Sequence, residues 1–518
     1  MDRRRARRCL LAVLAVGAAV LVGCSSGGSD DTAPTDDPTP TTASEATEPT
    51  PLPDGLEGPI AGGTYGIPYL AMPEGWEDEY GYTEQEFFLS RQATSYGVWT
   101  DDAQEELGTA LPADGRWEAF ERDPDTPAPF TTRLVVRRPA DPADFNGTVV
   151  VEWLNVSAGR DSDPDFGFLA DVLLPEGFAY VSVSAQRTGV EPGGLGIEIP
   201  NVDPAALAPL KDWDPERYGE LSHPGDEFSY DIFTQAAEIV TEPGGPLGDL
   251  DVAETIAVGE SQSASRLVTY ANAVQPVTEA FDGFLIHSRG DGAAPLNEDP
   301  GQEGPSGVAV RDDLDVPVVI FETETDLGFL RYGLARQPDT DGIVTWEVAG
   351  TGHADRSTLD YGVEAGRRWT DATVDLSTSC GRVNEGPQQQ VVQTAFVALV
   401  DWVRGGDAPP ASPRIELDDA GEIVRDDLGI ARGGIRTPAV DAPIAVHSGE
   451  NPSDDIICVL FGSTEPLTDD QLSELYADHD EYVAQVTASA EQAVDDGYLL
   501  ERHADAMIAE AESSDIPA

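Results

Sequence analysis

Three side chains that can together perform acyl transfer follow one another along the chain. Ser261 lies in "GESQS" (259–263), where the residues two before and two after the serine are small. Asp326 ends "VPVVIFETETD", and His353 follows in the Gly-rich "AGTGHAD". A nucleophilic serine needs a histidine to remove its proton, and that histidine needs a carboxylate to fix its tautomer and stabilise its cation. The order serine, acid, histidine therefore predicts a catalytic triad of Ser261, Asp326 and His353.

Each member of this triad has an alternative. The motif G-x-S-x-S without a final glycine also fits an ordinary turn serine or a helix N-cap. Glu324 is the alternative acid, because alternation would put Glu322, Glu324 and Asp326 on one side of a strand that persisted that far. His287, at the end of "FLIHS", is the alternative base, or a residue that lines the substrate pocket.

The oxyanion formed during acyl transfer needs hydrogen-bond donors. The backbone N–H of Gln262, directly after the serine and at the start of its helix, is the first predicted donor. We predict the second in the loop after the strand-like "GTVVVEWLNV" (147–156), at Val156, with Asn155 shaping the turn. Asn155 also fits a plain turn residue.

The elements that position these residues alternate between strand-like and helical patterns. The serine lies between the strand-like "ETIAV" and the helical "ASRLVTYANAV", as a nucleophile on a strand-to-helix turn requires. Strands alternating with helices indicate a mostly parallel sheet covered on both faces, with the active site beyond the carboxyl ends of the strands. The other strand-like runs are 147–156, 178–186, 281–288, 316–324 and 343–350, and helical runs include 167–177 and 388–406.

The N-terminal residues predict export. Residues 1–23 have a basic start and an apolar run too short for a typical membrane span, which indicates a signal peptide. Its end, "LVGC", resembles a bacterial lipobox and implies lipid attachment at Cys24; a plain signal peptide is the alternative. Residues 24–57 are rich in Pro, Thr and Asp and predict a disordered tether. We therefore expect a protein anchored by lipid to the outer face of the cell membrane.

Composition excludes some partners. The chain has 96 acidic and 30 basic residues, a formal net charge of -66, which disfavours binding to nucleic acid. No HExxH or His-x-His spacing occurs, so we expect no metal site, and nothing indicates a cofactor. Cys380 and Cys458 are the only cysteines after Cys24, and an even pair in an exported body favours a structural disulfide.

Several stretches resemble the bacterial alpha/beta hydrolase domain proteins of the α/β-hydrolase superfamily, which are often exported. The stretches are "FNGTVVVEWLNVS", "PERYGELSHPGDEFSYDIF", "GESQSASRL", "FETETDL", "GTGHAD" and "GGIRTPAVDAP", and the resemblance runs from about Tyr65 to the C-terminus. It implies an α/β-hydrolase fold, a mostly parallel central sheet flanked by helices, with loop insertions and a C-terminal extension. It also implies a serine hydrolase site at Ser261 and His353, with Asp326 or Glu324 as the acid. Ala264 stands where that family commonly has glycine.

These observations predict one hydrolase domain over residues 58–518. Its N-terminal strands would span 58–129, its core about 130–406 and its C-terminal extension 407–518. The expected function is hydrolysis of a small carboxylic ester through an acyl-enzyme at Ser261. The preference for esters over amides rests on the resemblance and on what is common in the fold. The alternative is a catalytically inactive hydrolase-fold lipoprotein that binds a ligand or a partner in the cell envelope.

Overall fold

A computed structural model describes residues 51–99, 111–122, 127–194, 196, 208–296, 305–368 and 376–516. The predicted signal peptide, Cys24 and most of the predicted tether lie outside these residues. Export and lipid attachment therefore stay predictions.

The strands within the described residues form one large sheet and two small ones. The small sheets pair Tyr96–Val98 with Ala119–Glu121 and Ala445–Ser448 with Ser463–Pro466. The strands are β1 (Leu56–Glu57), β2 (Tyr82–Ala93), β3 (Tyr96–Val98), β4 (Ala119–Glu121), β5 (Ala128–Pro139), β6 (Thr148–Trp153), β7 (Ala179–Val183), β8 (Glu254–Glu260), β9 (Gly283–His287), β10 (Val318–Glu322), β11 (Ile343–Glu347), β12 (Ala445–Ser448) and β13 (Ser463–Pro466).

The large sheet has nine strands in the order β1-β2-β5-β7-β6-β8-β9-β10-β11. Every pair from β7 to β11 is parallel, whereas the pairs β1 with β2, β2 with β5 and β5 with β7 are antiparallel. This is the mostly parallel sheet that the alternating sequence pattern predicts. The carboxyl ends of β6, β8, β9, β10 and β11 meet at one edge, where sites form in folds of this kind.

The helices connect these strands and then continue beyond the sheet. The helices Gln262–Thr269 and Gln275–Thr278 are joined by a wider π-helical turn at Tyr270–Val274, so the helical run predicted after Ser261 is continuous. The helices are α1 (Trp76–Tyr80), α2 (Pro164–Leu173), α3 (Arg187–Val190), α4 (Leu210–Trp213), α5 (Pro215–Tyr218), α6 (Ser229–Thr241), α7 (Gln262–Thr269), α8 (Gln275–Thr278), α9 (Glu324–Gly328), α10 (Arg356–Gly366), α11 (Ser377–Cys380), α12 (Gln388–Val403), α13 (Pro438–Asp441), α14 (Ile456–Leu460), α15 (Asp469–Leu475), α16 (His479–Asp495) and α17 (Glu501–Ser513).

The sheet is buried on both faces. Successive side chains of a strand point to opposite sides, so β8 contributes to two separate apolar clusters. Ala257 belongs to the cluster that contains Phe233 of α6, and Ile256 and Val258 belong to the cluster that contains Phe396 of α12. The near-continuous apolar run of β8 follows from this two-sided burial.

The segment after α12 returns to the edge of the sheet that carries β11. Ile435 forms a bridge with Val348, just beyond that strand. The predicted disulfide is present: Cys380 in α11 and Cys458 in α14 are joined, with a sequence separation of 78 residues.

Candidate active site

Ser261 lies on a sharp turn between β8 and α7. Its backbone φ is 62° and its ψ is -117°, a conformation that residues other than glycine rarely adopt. The backbone N–H of Ser261 donates a hydrogen bond of 2.9 Å to the carbonyl oxygen of His287 at the end of β9. A strained serine held between a strand and a helix is the geometry that exposes a nucleophile at the edge of such a sheet.

The residues around this turn are small because the chain packs closely there. A Cβ on Gly259 would lie 3.0 Å from the Cδ1 atom of Leu267 in the following helix. Ser263 is fully buried, and its hydroxyl donates a 2.7 Å hydrogen bond to the carbonyl oxygen of Glu260. The serine that replaces the usual glycine therefore fits, and it satisfies a backbone acceptor as well. Ala264 is also fully buried.

The three predicted triad residues meet at the carboxyl edge of the sheet. Nε2 of His353 lies 2.8 Å from Oγ of Ser261, and Nδ1 of His353 lies 2.7 Å from Oδ1 of Asp326. The second oxygen of Asp326 accepts hydrogen bonds of 2.7 Å from both the backbone N–H and the hydroxyl of Thr323. Both oxygens of the acid are thus held in place.

The structure brings Asp326, and not Glu324, to the histidine. The alternation that would align the three acids stops at Glu322, because Thr323 caps the N-terminus of α9. The carboxylate of Glu324 instead accepts a 2.6 Å hydrogen bond from Gly350 N–H and lies 3.0 Å from Nη2 of Arg425. Its contacts are those of a buried structural carboxylate.

His287 contacts a different acid. Its ring is fully buried, and its Nδ1 lies 2.8 Å from Oδ1 of Asp165. Its Nε2 lies 3.3 Å from Nε2 of Gln388. The ring is therefore removed from solvent and does not line an open pocket. Its contribution to the turn is the carbonyl oxygen that accepts from Ser261.

The loop after β11 positions His353. Gly350 turns the chain there with a φ of 78°, a conformation that glycine adopts without steric cost. The backbone N–H of His353 donates a 3.2 Å hydrogen bond to Oγ1 of Thr325 in α9. Helix α9 thus supplies the acid and also fixes the backbone of the histidine.

The two predicted oxyanion donors belong to residues that contact each other. Val156 N–H points to the side-chain oxygen of Gln262 at 3.4 Å. Gln262 is the first residue of α7, where backbone N–H groups have no partner within the helix. Asn155 shapes the turn: its Oδ1 accepts a 2.8 Å hydrogen bond from Ser157 N–H, and its Nδ2 donates to the carbonyl oxygen of Glu260 at 3.1 Å.

The charges in the site favour a protonated histidine. Burial disfavours the cation of His353, but the carboxylates of Glu260 and Asp326 outweigh this effect and raise its pKa to about 9. Burial alone would raise the pKa of Asp326, whereas His353 and the donors of Thr323 reverse that and lower the pKa. Asp326 is therefore an anion at neutral pH.

Glu260 is a site residue that the sequence analysis missed. It is the last residue of β8, and its Oε1 lies 3.1 Å from Nε2 of His353. Burial raises its pKa to about 7, in spite of the opposing effect of His353. Its position in the sequence could have indicated this role, because the turn that brings Ser261 to the histidine also brings the residue directly before the serine close to it.

The described residues contain no group of three or more His, Cys, Asp or Glu residues that could hold a metal ion. None of the described helices is long and apolar enough to cross a membrane.

The fold and the site together define an α/β hydrolase with a Ser-His-Asp arrangement. The family model described as "Alpha/beta hydrolase domain" matches residues 56–509, so the chain belongs to that family. No curated protein matches the chain.

Solved structures of esterases are similar to the chain at low identity. Esterase Est22 is 12% identical, with 63% of this chain and 81% of Est22 covered and a TM-score of 0.30. A fungal esterase from Rhizomucor miehei is 13% identical, with 61% and 85% covered and a TM-score of 0.29. Brefeldin A esterase, a bacterial homologue of human hormone-sensitive lipase, is 14% identical, with 50% and 68% covered and a TM-score of 0.25. At these values the similarities identify no substrate for this chain.

Proposed function

We propose that the protein is a serine hydrolase that cleaves small carboxylic esters through an acyl-enzyme at Ser261. The observation that carries the proposal is the hydrogen-bonded series from Ser261 through His353 to Asp326, with the serine on a strained strand-to-helix turn. Strain at one non-glycine residue costs on the order of 1–3 kcal/mol, and such strain clusters at active sites.

The geometry supports the following reaction. Oγ of Ser261 forms a bond to the ester carbonyl carbon while its proton passes to Nε2 of His353, and Asp326 stabilises the resulting imidazolium. The oxyanion accepts hydrogen bonds from the backbone N–H groups of Gln262 and Val156, and it replaces the side-chain oxygen of Gln262 that lies 3.4 Å from the N–H of Val156. The carbon–oxygen bond to the leaving alcohol then breaks, and the alcohol takes the proton from Nε2. Water then gives a proton to Nε2 and attacks the acyl carbon, the bond from that carbon to Oγ breaks, the carboxylic acid leaves, and Oγ of Ser261 takes the proton back from Nε2.

The alternative is an inactive lipoprotein of the same fold. Two features favour the enzyme, namely the hydrogen bonds between all three triad residues and the strain retained at Ser261. A binding protein would need neither. The choice of esters over amides rests on the family resemblance, because both reactions use the same residues.

A fluorophosphonate probe tests this proposal. The intact protein should become labelled at Ser261, as mapped by peptide mass spectrometry, and should hydrolyse p-nitrophenyl esters with a chain-length preference. Ser261→Ala should abolish labelling and turnover. Ser265→Ala is the matched control, since Ser265 lies one helical turn further along and should leave labelling intact. Labelling that is absent, or that persists in Ser261→Ala, would contradict the proposal.

We also propose that the protein is exported and anchored to the outer face of the cell membrane by lipid on Cys24. The lipobox-like "LVGC" after the apolar run supports this. Cys24→Ser should move the protein from the membrane fraction to the soluble fraction, while the control Cys9→Ser should not. Membrane association that survives Cys24→Ser would contradict lipid attachment at this residue.

A further inference from the structure

Glu260 gives the imidazole of His353 a second carboxylate, at the ring nitrogen opposite the one that Asp326 contacts. Oε1 of Glu260 lies 3.1 Å from Nε2, and Asp326 lies 2.7 Å from Nδ1. Nε2 is also the atom that faces the hydroxyl of Ser261. The proton that moves during the proposed hydrolysis thus passes within hydrogen-bond distance of Glu260.

The carboxylate of Glu260 is held in this position. The residue is 6% exposed. Its Oε2 accepts a 3.2 Å hydrogen bond from Nδ2 of Asn155, which leaves Oε1 directed at the histidine. The backbone of Glu260 pairs with His287 in the parallel register of β8 and β9. Neither the backbone nor the side chain of Glu260 can move away from His353 without breaking these contacts.

The position of Glu260 favours one protonation state of the histidine. Two acceptors face each other when Nε2 has no proton and Glu260 is ionised, and that arrangement is unfavourable at 3.1 Å in a buried site. Once Nε2 accepts the proton of Ser261, the same contact becomes a charge-assisted hydrogen bond. The contact therefore becomes stronger as the imidazolium forms, which is the condition for lowering the barrier.

We propose that Glu260 is a positioning residue for the proposed hydrolysis. Its carboxylate orients Nε2 of His353 and stabilises the imidazolium while Ser261 attacks the substrate. The proposal rests on the proposed function. It also implies a cost: the resting imidazole holds its proton more tightly, so the general base becomes available only at higher pH.

Other charged groups face Glu260 and modulate this effect. His353 and His287 favour its ionised form, whereas Asp165 in α2 and Asp326 in α9 oppose it, and burial opposes it most. The ionised form of Glu260 is accordingly retained mainly through His353. Substituting Glu260 should therefore change the titration of His353 directly.

The test compares pH profiles of kcat/KM for p-nitrophenyl acetate between pH 5 and 10. Glu260→Gln keeps the shape of the side chain but removes its charge. The acid limb is the part of the profile in which kcat/KM rises with pH as His353 loses its proton. In Glu260→Gln its midpoint should lie about 1–2 pH units lower, the usual effect of removing an opposite charge at this distance. The plateau at high pH should fall about tenfold, because the imidazolium loses one of its two anionic partners. Glu260→Asp, which keeps the charge but withdraws it, should give a smaller shift.

Glu450→Gln is the matched control, because Glu450 is an exposed carboxylate whose partner is Arg425. Its acid limb should coincide with that of the intact protein. A Glu260→Gln limb that coincides with the intact protein would overturn the proposal, since a merely structural role does not displace this limb.

A measurement without turnover separates this proposal from the proposed function. NMR titration of isotope-labelled histidine in the Ser261→Ala background reports the pKa of His353 with and without Glu260→Gln. A pKa lowered by at least one unit supports the pairing, and an unchanged pKa overturns it. Intact protein that shows no labelling and no turnover would overturn the proposed hydrolase, and with it the positioning role of Glu260, whatever the NMR result.

Discussion

Oδ1 of Asp326 lies 2.7 Å from Nδ1 of His353, while Oδ2 of the same carboxylate accepts two hydrogen bonds from Thr323. The acid is thus fixed by the cap of the helix on which it lies. This arrangement leaves Asp326 one oxygen for the imidazole, which sets the ring's tautomer and places Nε2 toward Ser261.

Asp326→Asn should lower kcat by about 10³-fold or more, because an amide in this place favours the wrong imidazole tautomer. KM should change little, and a circular dichroism melt should show a folded protein. Glu324→Gln is the comparison: the carboxylate of Glu324 holds Gly350 and Arg425, so this substitution should lower Tm and reduce kcat less than tenfold. A larger loss of kcat in Glu324→Gln than in Asp326→Asn would contradict the assignment of the acid.

Much of the fold follows from local sequence pattern. The strand-like runs correspond to β6, β7, β8, β9, β10 and β11, and the helical runs correspond to α2, α7 and α12. The strands are short apolar runs bounded by Gly or polar turns, and their alternation with longer segments of helical spacing identifies them. The same pattern predicts that Ser261, Asp326 and His353 meet in space, because each follows a strand and parallel strands bring their carboxyl ends to one edge of the sheet.

The pattern left Glu324 open as an alternative to Asp326, and it did not indicate the contact of Glu260 with His353. Glu324 and Asp326 are two residues apart, and only the point where β10 ends and α9 begins decides which one faces His353. The Thr323 cap sets that point, and strand alternation gave no sign of it. Glu260 was missed for a related reason: strand alternation does not show that a side chain at the end of a buried strand reaches the base, as that of Glu260 does.

Breaking the disulfide should destabilise the protein and loosen the histidine loop. The link between Cys380 and Cys458 closes 78 residues, which corresponds to about 4 kcal/mol of unfolding free energy in the loop-entropy account. Ala354, next to the histidine, donates a 3.0 Å hydrogen bond to Leu460 near the second cysteine. Cys380→Ser/Cys458→Ser should therefore lower the urea midpoint, and esterase activity should be lost at a lower temperature than unfolding monitored by tryptophan fluorescence. Unchanged stability in this double variant would count against the prediction.

Stability should fall as pH rises from about 6.5 to 9. The pKa of His353 is raised in the folded protein to about 9, from an ordinary value of 6.5. A group with a raised folded pKa contributes its full stability below the unfolded pKa, and this contribution is lost as pH rises through the folded pKa. The loss is of the order of 2–3 kcal/mol at ~1.4 kcal/mol per pKa unit. Urea unfolding at pH 6.5 and pH 9.5 measures this loss as a difference in unfolding free energy. In His353→Gln the difference between the two pH values should be smaller by about 2–3 kcal/mol. An equal drop in both proteins would exclude His353 as the source.

Asn155 should influence the rate through its amide donor. Nδ2 donates to the carbonyl oxygen and to Oε2 of Glu260, while Oδ1 accepts from Ser157 and holds the turn that presents Val156. Asn155→Ala removes both functions, and kcat should fall about tenfold or more with a small decrease in Tm.

Asn155→Asp keeps the acceptor for Ser157 but turns an acceptor toward Glu260, and two buried carboxylates that face each other cannot both ionise at low cost. We therefore expect a larger loss of kcat/KM in Asn155→Asp than in Asn155→Ala, because one of the two carboxyl groups must hold a proton and the carboxylate of Glu260 is no longer fixed toward His353. If Asn155→Asp is the more active of the two, the turn-forming acceptor is the important function of Asn155 and the contact with Glu260 is not.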